Sequence, residues 1–205
     1  MARTPKVVED RREQILDAAM SVFAQKGFTR ATNKDIAREA GITPGLIYYY
    51  FESKEAVLQA IIEQRSPLQL MGSVSEEMLA MPPELFLRYI IQRILGIVES
   101  DQFIGMVRVL LPEVMHDMHN ADSQIVQTAQ GAFQRIGIFL SKYLELKITS
   151  GELLHCDSLP TAQLLISSLI GFVLRRQILH DPTVVSLSHE QIADVISSTV
   201  VNGIG

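Results

Sequence analysis

Residues 32–54 read TNKDIAREAGITPGLIYYYFESK. The spacing predicts two short helices joined by a tight turn, then the start of a third. Thr32 and Asp35 stand three apart, as in a capping box. The hydroxyl accepts from a helix-start amide and the carboxylate reaches back. Ile36, Ala37 and Ala40 follow on one side at helical spacing. Gly41 falls where a left-handed residue ends that helix. Thr43 is placed to cap again, with Pro44 at the first helical position, where its missing N–H costs nothing. Ser53 opens the next helix, with Glu55 in its first turn.

The second of these helices has two unlike faces. Ile47, Tyr50 and Phe51 share one side, so that side is core. Gly45, Leu46, Tyr48 and Tyr49 fall outside it. Neighbouring tyrosines on the open side of a short capped helix are poorly explained by packing. Phenol hydroxyls can donate to phosphate oxygens, and the rings can lie against sugars and thymine methyls. Gly45 lets a backbone approach another surface closely. Helix, turn and contact helix together make a helix-turn-helix.

Phe23, Gly27-Phe28, Thr32, Ile36-Ala37, Ala40-Gly41-Ile42, Gly45, Ile47-Tyr48-Tyr49-Tyr50-Phe51 and Lys54-Glu55 resemble, in order, the DNA-binding domain of the TetR family. The likeness covers roughly the first third of the chain. It implies a homodimer on a palindromic operator in double-stranded DNA. It also implies an all-helical C-terminal domain and repression relieved by a small effector. Carried over position by position, it puts Gly45, Leu46, Tyr48 and Tyr49 in a major groove, beside Pro44. Lys34 comes near base edges or phosphate, and Thr32, Thr43 and Lys54 hold phosphates. Pro44 and Leu46 stand where the family often has Lys and a small hydroxyl residue. That substitution trades polar base readers for apolar contact with thymine methyls.

The net charge of −5 divides unevenly. Residues 1–65 carry 10 Lys and Arg against 9 Asp and Glu, or +1, leaving −6 for residues 66–205. Local placement governs phosphate affinity, so the acidic remainder argues only against a second nucleic-acid surface. A single cysteine provides no disulfide framework and fits a reducing cytoplasm. The N-terminal MARTPKVVEDRREQ lacks the apolar centre of a secretory signal. Leu164 to Leu174 is the most apolar stretch; with Ser167, Ser168 and Gly171 inside it and Arg175-Arg176 after it, it falls short of the ~20 residues that cross a bilayer. No membrane partner is expected.

The chain as a whole reads as all-α. Residues 1–8 are a loose terminus or a basic arm to DNA. Helix 1 spans about Val8 to Lys26, and Ser66-Pro67 breaks helix 4. The boundary is therefore placed there: 1–66 is a three-helix helix-turn-helix domain, and 67–205 a helical effector-binding and dimerisation domain. The second carries helices near 84–100, 101–115, 122–146, 160–179 and from 188 onward. Whether 68–79 is helical is left open.

The helix from Pro160 is apolar nearly all round, so it is buried all round. Either it is central to one chain, or one side meets a second copy together with the last helix. The dimer option names Leu165, Leu169, Phe172, Ile192 and Ile196 as interface. Met78, Phe86, Tyr89, Phe103, Met106 and Phe133 are core or the wall of an apolar pocket, for which flexible Met walls are suited. Arg108, in an apolar stretch, either pairs with Glu113, Asp101 or a ligand carboxylate, or snorkels to the surface.

Other constellations lack parts. Glu113-x-x-His116 has no second Glu-x-x-His, and Cys156 with His155 and Asp157 does not make four ligands. No phosphate loop, nucleophile elbow or catalytic set is present, and no cofactor or metal is expected. An all-helical enzyme or carrier using the helix-turn-helix only for packing is the alternative. An activator using the same contacts is a further variant.

Overall fold

The structure is a computed structural model that describes residues 5–202, with side chains from residue 10 onward. The described residues form α1 (Pro5–Lys26), α2 (Asn33–Glu39), α3 (Pro44–Tyr50), α4 (Lys54–Arg65), α5 (Leu68–Met71), α6 (Glu76–Leu79), α7 (Pro83–Val98), α8 (Asp101–Asp117) and α9 (Gln124–Thr149). There follow α10 (Ser158–Val173), a π-helical turn (Leu174–Ile178), α11 (Pro182–Val185) and α12 (His189–Asn202). The fold is all-α, with the helix-turn-helix in α1–α3. Helix α1 already begins at Pro5, so the arm expected at 1–8 is helical from there, and residues 1–4 lie outside the described residues. Residues 68–79 fold as two short helices, α5 and α6.

Two compact units divide the chain: residues up to Arg65 with Ile104–Gly131, and Ser66–Phe103 with the residues from Ala132 on. Helices α8 and α9 each supply residues to both. In the first unit, Ile15, Leu16, Ala19, Ile36, Ile47, Leu58 and Ile61 are fully buried. These are the periodic apolar faces of α1–α4, turned inward as their spacing requires. Polar ties fix the edges: Gln14 Nε2 donates to the Ala40 carbonyl at 2.7 Å, and Arg65 pairs with Asp17 at 2.5 Å.

The second unit packs around Phe86, Leu87, Leu95 and Leu144, all fully buried, with Tyr143, Leu165, Leu169, Ile192 and Ile196. Phe86 stacks on Tyr143 with centroids 4.1 Å apart and planes 27° apart. Burial pushes the Tyr143 phenol well above its ordinary range, so it stays neutral. Lys147, itself buried, donates to both Glu152 oxygens at 3.0 Å. Glu99, at the end of α7, meets Arg176 Nε and His189 Nε2, each at 2.8 Å.

These helices correct two expectations. Leu165, Leu169, Ile192 and Ile196 are 2–8% exposed within a single chain, and Phe172 is half-buried against the same core. Four of the five named interface residues are therefore core. The apolar surface that α10 and its neighbours leave open is Leu164, Ile170, Leu174, Ile178 and Val195. The helix runs through Arg175-Arg176, as the expected span of 160–179 required, but the apolar length expected to fall short of a bilayer does not. The backbone runs on through the π turn, making 21 residues from Ser158 to Ile178 with mean hydropathy 1.3, long and apolar enough by length and composition to cross a membrane.

Candidate nucleic-acid interface

Helix α2 starts at a complete capping box. Thr32 Oγ1 accepts from the Asp35 amide at 3.2 Å, and the Thr32 amide donates to Asp35 Oδ2 at 3.2 Å. The Thr32 hydroxyl also donates to Asp35 Oδ2 at 2.7 Å. Its one hydrogen is thus committed, and donating to a phosphate requires breaking that bond. Asp35 further binds Lys26 at 2.6 Å and Arg38 at 3.0 Å. The Lys26 bond, then the Thr32 hydroxyl, hold this carboxyl down at about 2. Sequence spacing paired Asp35 with Thr32 but missed Lys26, because the chain reverses at Gly27 between them (φ 77°).

The turn closes as a Schellman motif. The Ile42 amide reaches the Ala37 carbonyl at 2.9 Å and the Gly41 amide reaches Arg38 at 3.2 Å, with Gly41 at φ 63°. Thr43 is the N-cap of α3 in extended conformation, but its hydroxyl makes no cap hydrogen bond. The capping role expected of that side chain is absent; Pro44 at the first position already removes one amide in need of a partner. Thr43, Pro44 and Gly45 are exposed, Leu46 is half-buried, and Ile47 is fully buried. Tyr48 and Tyr49 are 60% and 71% exposed, the latter set edge-on to Tyr50 at 5.1 Å. A Cβ at Gly45 would meet nothing within 4 Å. Nothing inside the chain demands glycine there. Lys34 is exposed in the first turn of α2.

Lys54 is half-buried and already occupied. Its Nζ donates to the carbonyls of Phe28 at 2.7 Å and Thr29 at 3.3 Å and lies 4.4 Å from the Phe28 ring centre. Burial lowers its proton affinity, opposed by the charges of Glu55 and Glu113. The ammonium thus staples α4 to the loop before α2. Ser53 caps α4, its Oγ accepting from the Ala56 amide at 3.1 Å.

An open concavity of about 520 Å³ lies elsewhere on this unit, lined by Asp10, Glu13, Gln14, Asp17, Ser21 and Glu39. The lining includes four carboxylates, of which Asp17 pairs with Arg65, and their negative charge repels phosphate. The residues expected to line an effector pocket are distributed over both units. Met106 and Arg108 belong to the first unit, the former buried and the latter exposed. Of those in the second, Phe86 is fully buried, Tyr89 and Phe133 are 42% and 55% exposed, and Met78 and Phe103 are half-buried. His116 Nδ1 sits 2.9 Å from Asp117, which raises the imidazole's proton affinity. Among the described residues no three His, Cys, Asp or Glu side chains group as metal ligands.

A sequence model described as "Bacterial regulatory proteins, tetR family" matches residues 15–61. The HTH-type transcriptional regulator SrpR of Pseudomonas putida is 30% identical over 159 residues, 75% of this chain and 68% of that protein. Among solved structures, the fold is similar to the regulator FadR of Bacillus subtilis in complex with stearoyl-CoA. The TM-score is 0.66 at 21% identity, over 94% of this chain and 99% of that one. It is similar also to a SmeT–triclosan complex, with TM-score 0.68 at 23% identity, over 95% of this chain and 93% of that one. At these identities the two structures show a shared fold.

Proposed function

The chain belongs to the TetR family of bacterial regulatory proteins, and on that premise we propose that it is a homodimeric repressor released from a palindromic operator by a small hydrophobic effector. It is a DNA-binding transcriptional regulator rather than an enzyme, and its place is the cytoplasm, with the DNA. The observation that carries the operator contact is Tyr48 and Tyr49, 60% and 71% exposed on a capped helix whose opposite side is sealed by Ile47. Gly45, Leu46, Tyr48 and Tyr49 enter the major groove beside Pro44. Lys34, Thr43 and Lys54 face phosphates, and Thr32 positions the start of α2. The functional division follows residues 1–66 and 67–205.

An apolar effector is supported by the Phe- and Met-rich second part of the chain. The FadR structure holds stearoyl-CoA and the SmeT structure triclosan, both with large apolar portions. Met78, Tyr89, Phe103 and Phe133 are the residues of the second unit that we assign to the effector. Release of DNA requires that the effector bind the non-DNA conformation better; tenfold weakening needs a coupling of about 1.4 kcal/mol.

A gel shift with DNA from upstream of the protein's own gene tests this. We expect retardation that unrelated duplex fails to compete away at matched salt, and loss of it with triclosan or a long-chain acyl-CoA that also raises the melting temperature. Equal competition by unrelated DNA would remove the operator. Compounds that stabilise the protein without weakening the complex would remove effector control.

A further inference from the structure

Helix α8 turns one acidic side chain toward the helix-turn-helix. Met106 and Leu110 are buried, and Glu113 follows them at the spacing that keeps all three on one face. Its carboxylate lies over the backbone of Gly27: a Cβ built there would stand 3.2 Å from Glu113 Cδ and closer to Oε1. Gly27 leads directly into Phe28 and Thr29, whose carbonyls hold Lys54 Nζ. A fixed negative charge therefore lies at the loop that presents the cation assigned to phosphate. Its field reaches that cation, as Glu113 raises the proton affinity that burial lowers. Glu113 also comes directly after Pro112, which lacks the N–H that would close the helix bond to the Arg108 carbonyl. The ladder of α8 is interrupted one residue before the contact.

We infer that Glu113 is a regulatory residue that weakens DNA binding by competing with a backbone phosphate for Lys54, so that displacement of α8 at its C-terminal end sets operator affinity. The inference rests on the DNA-binding role of Lys54 proposed above. With the carboxylate over Gly27, part of the ammonium's charge is already balanced before a phosphate arrives. With the carboxylate moved away, the full charge of Lys54 acts on the phosphate, and the ammonium is free to exchange a carbonyl for it.

Phosphate contacts are sequence-independent, so a short labelled duplex of arbitrary sequence is a sufficient probe. Anisotropy titrations at about 50 and 200 mM salt should compare wild type, Glu113→Gln, Glu113→Asp, Lys54→Gln and the double variant Glu113→Gln/Lys54→Gln. Glu113→Gln, isosteric and neutral, should bind about three- to fivefold tighter at the lower salt, as expected for one near-surface charge. Glu113→Asp keeps the charge and should not gain. The gain should vanish when Lys54 is Gln, which retains the stem over Phe28. Equal affinity of wild type and Glu113→Gln would overturn the inference and leave the DNA-binding assignment standing, as would a gain that persists without Lys54. Failure of the wild type to bind any duplex would overturn both. Should Lys54→Gln not fold, the contrast between Glu113→Gln and Glu113→Asp decides alone: equal gains would point to loosened packing and overturn the electrostatic role.

Discussion

Asp35 gathers more bonds than any other side chain near the proposed DNA face, and its chemistry sets a pH dependence. Its carboxyl is lowered from 3.8 to about 2, first by the Lys26 hydrogen bond and then by that from Thr32. A folded value below the unfolded one stabilises the native state above the unfolded pKa of about 3.9. That contribution is lost as pH falls from there through about 2. The carboxylate is solvent-screened, so the effect is modest. Asp35→Asn should melt at lower temperature than wild type at neutral pH, and the gap should close between pH 4 and pH 2. Parallel melting curves over the whole range would show that the ion cluster contributes nothing. Gly45 gives a separable test. Alanine there meets no neighbour, and glycine in a helix costs about 0.5–1 kcal/mol relative to alanine. Gly45→Ala should therefore raise the melting temperature while weakening operator binding about tenfold, or 1.4 kcal/mol. Unchanged affinity would take Gly45 out of the interface.

At the scale of elements, the first unit was legible because each helix end carries its own signal. Thr32 with Asp35, Gly41 with Ile42, Pro44 and Ser53 all act within a few residues, so spacing alone locates them. Thr43 shows the limit: a residue type suited to capping need not cap. Helix α10 was not legible in the same way. Leu164 and Leu165 are equally apolar, yet one is 67% exposed and the other 4%, a difference made by which of them faces the buried cluster around α7 rather than by composition. The π turn adds to this. The Leu179 amide bonds to Leu174 at 3.1 Å, a five-residue step that shifts the phase of the side chains after it, and no residue type announces it. Helix α7 offers a prediction at this scale. Phe86 was a candidate for a pocket wall, but it is fully buried and stacked on Tyr143. Phe86→Ala should cost about 3–5 kcal/mol in urea unfolding, as large core truncations do. A loss below about 1 kcal/mol would mean that the site is open enough to collapse or to hold a ligand.

For the whole molecule, the decisive feature is the apolar strip on the helix from Ser158 to Ile178, of whose most apolar window only 17% is buried. Leu164 is 67% exposed, Ile170 49%, Leu174 44% and Ile178 64%, with Val195 of α12 at 62%. Single exposed leucines are ordinary, but this many large apolar side chains left open in one region of the chain point to an interaction surface. A second copy is the occupant that the proposed palindromic operator calls for, since a two-fold axis places two recognition helices about 34–36 Å apart, one DNA turn. Core and interface then respond differently to the same charge. Leu169→Asp buries an unpaired carboxylate inside one chain, costs several kcal/mol and should unfold the second unit. Ile170→Asp, one residue on, changes an exposed position and should leave a folded monomer. Its melting temperature should no longer rise with protein concentration, as that of a dimer does. Because only paired heads span both half-sites, operator affinity should fall steeply while binding to arbitrary duplex persists. Sedimentation velocity of the two variants beside wild type settles the matter. A dimeric, fully folded Ile170→Asp protein would show that the strip serves some other partner, and a monomeric wild type at micromolar concentration would remove the symmetric assembly altogether.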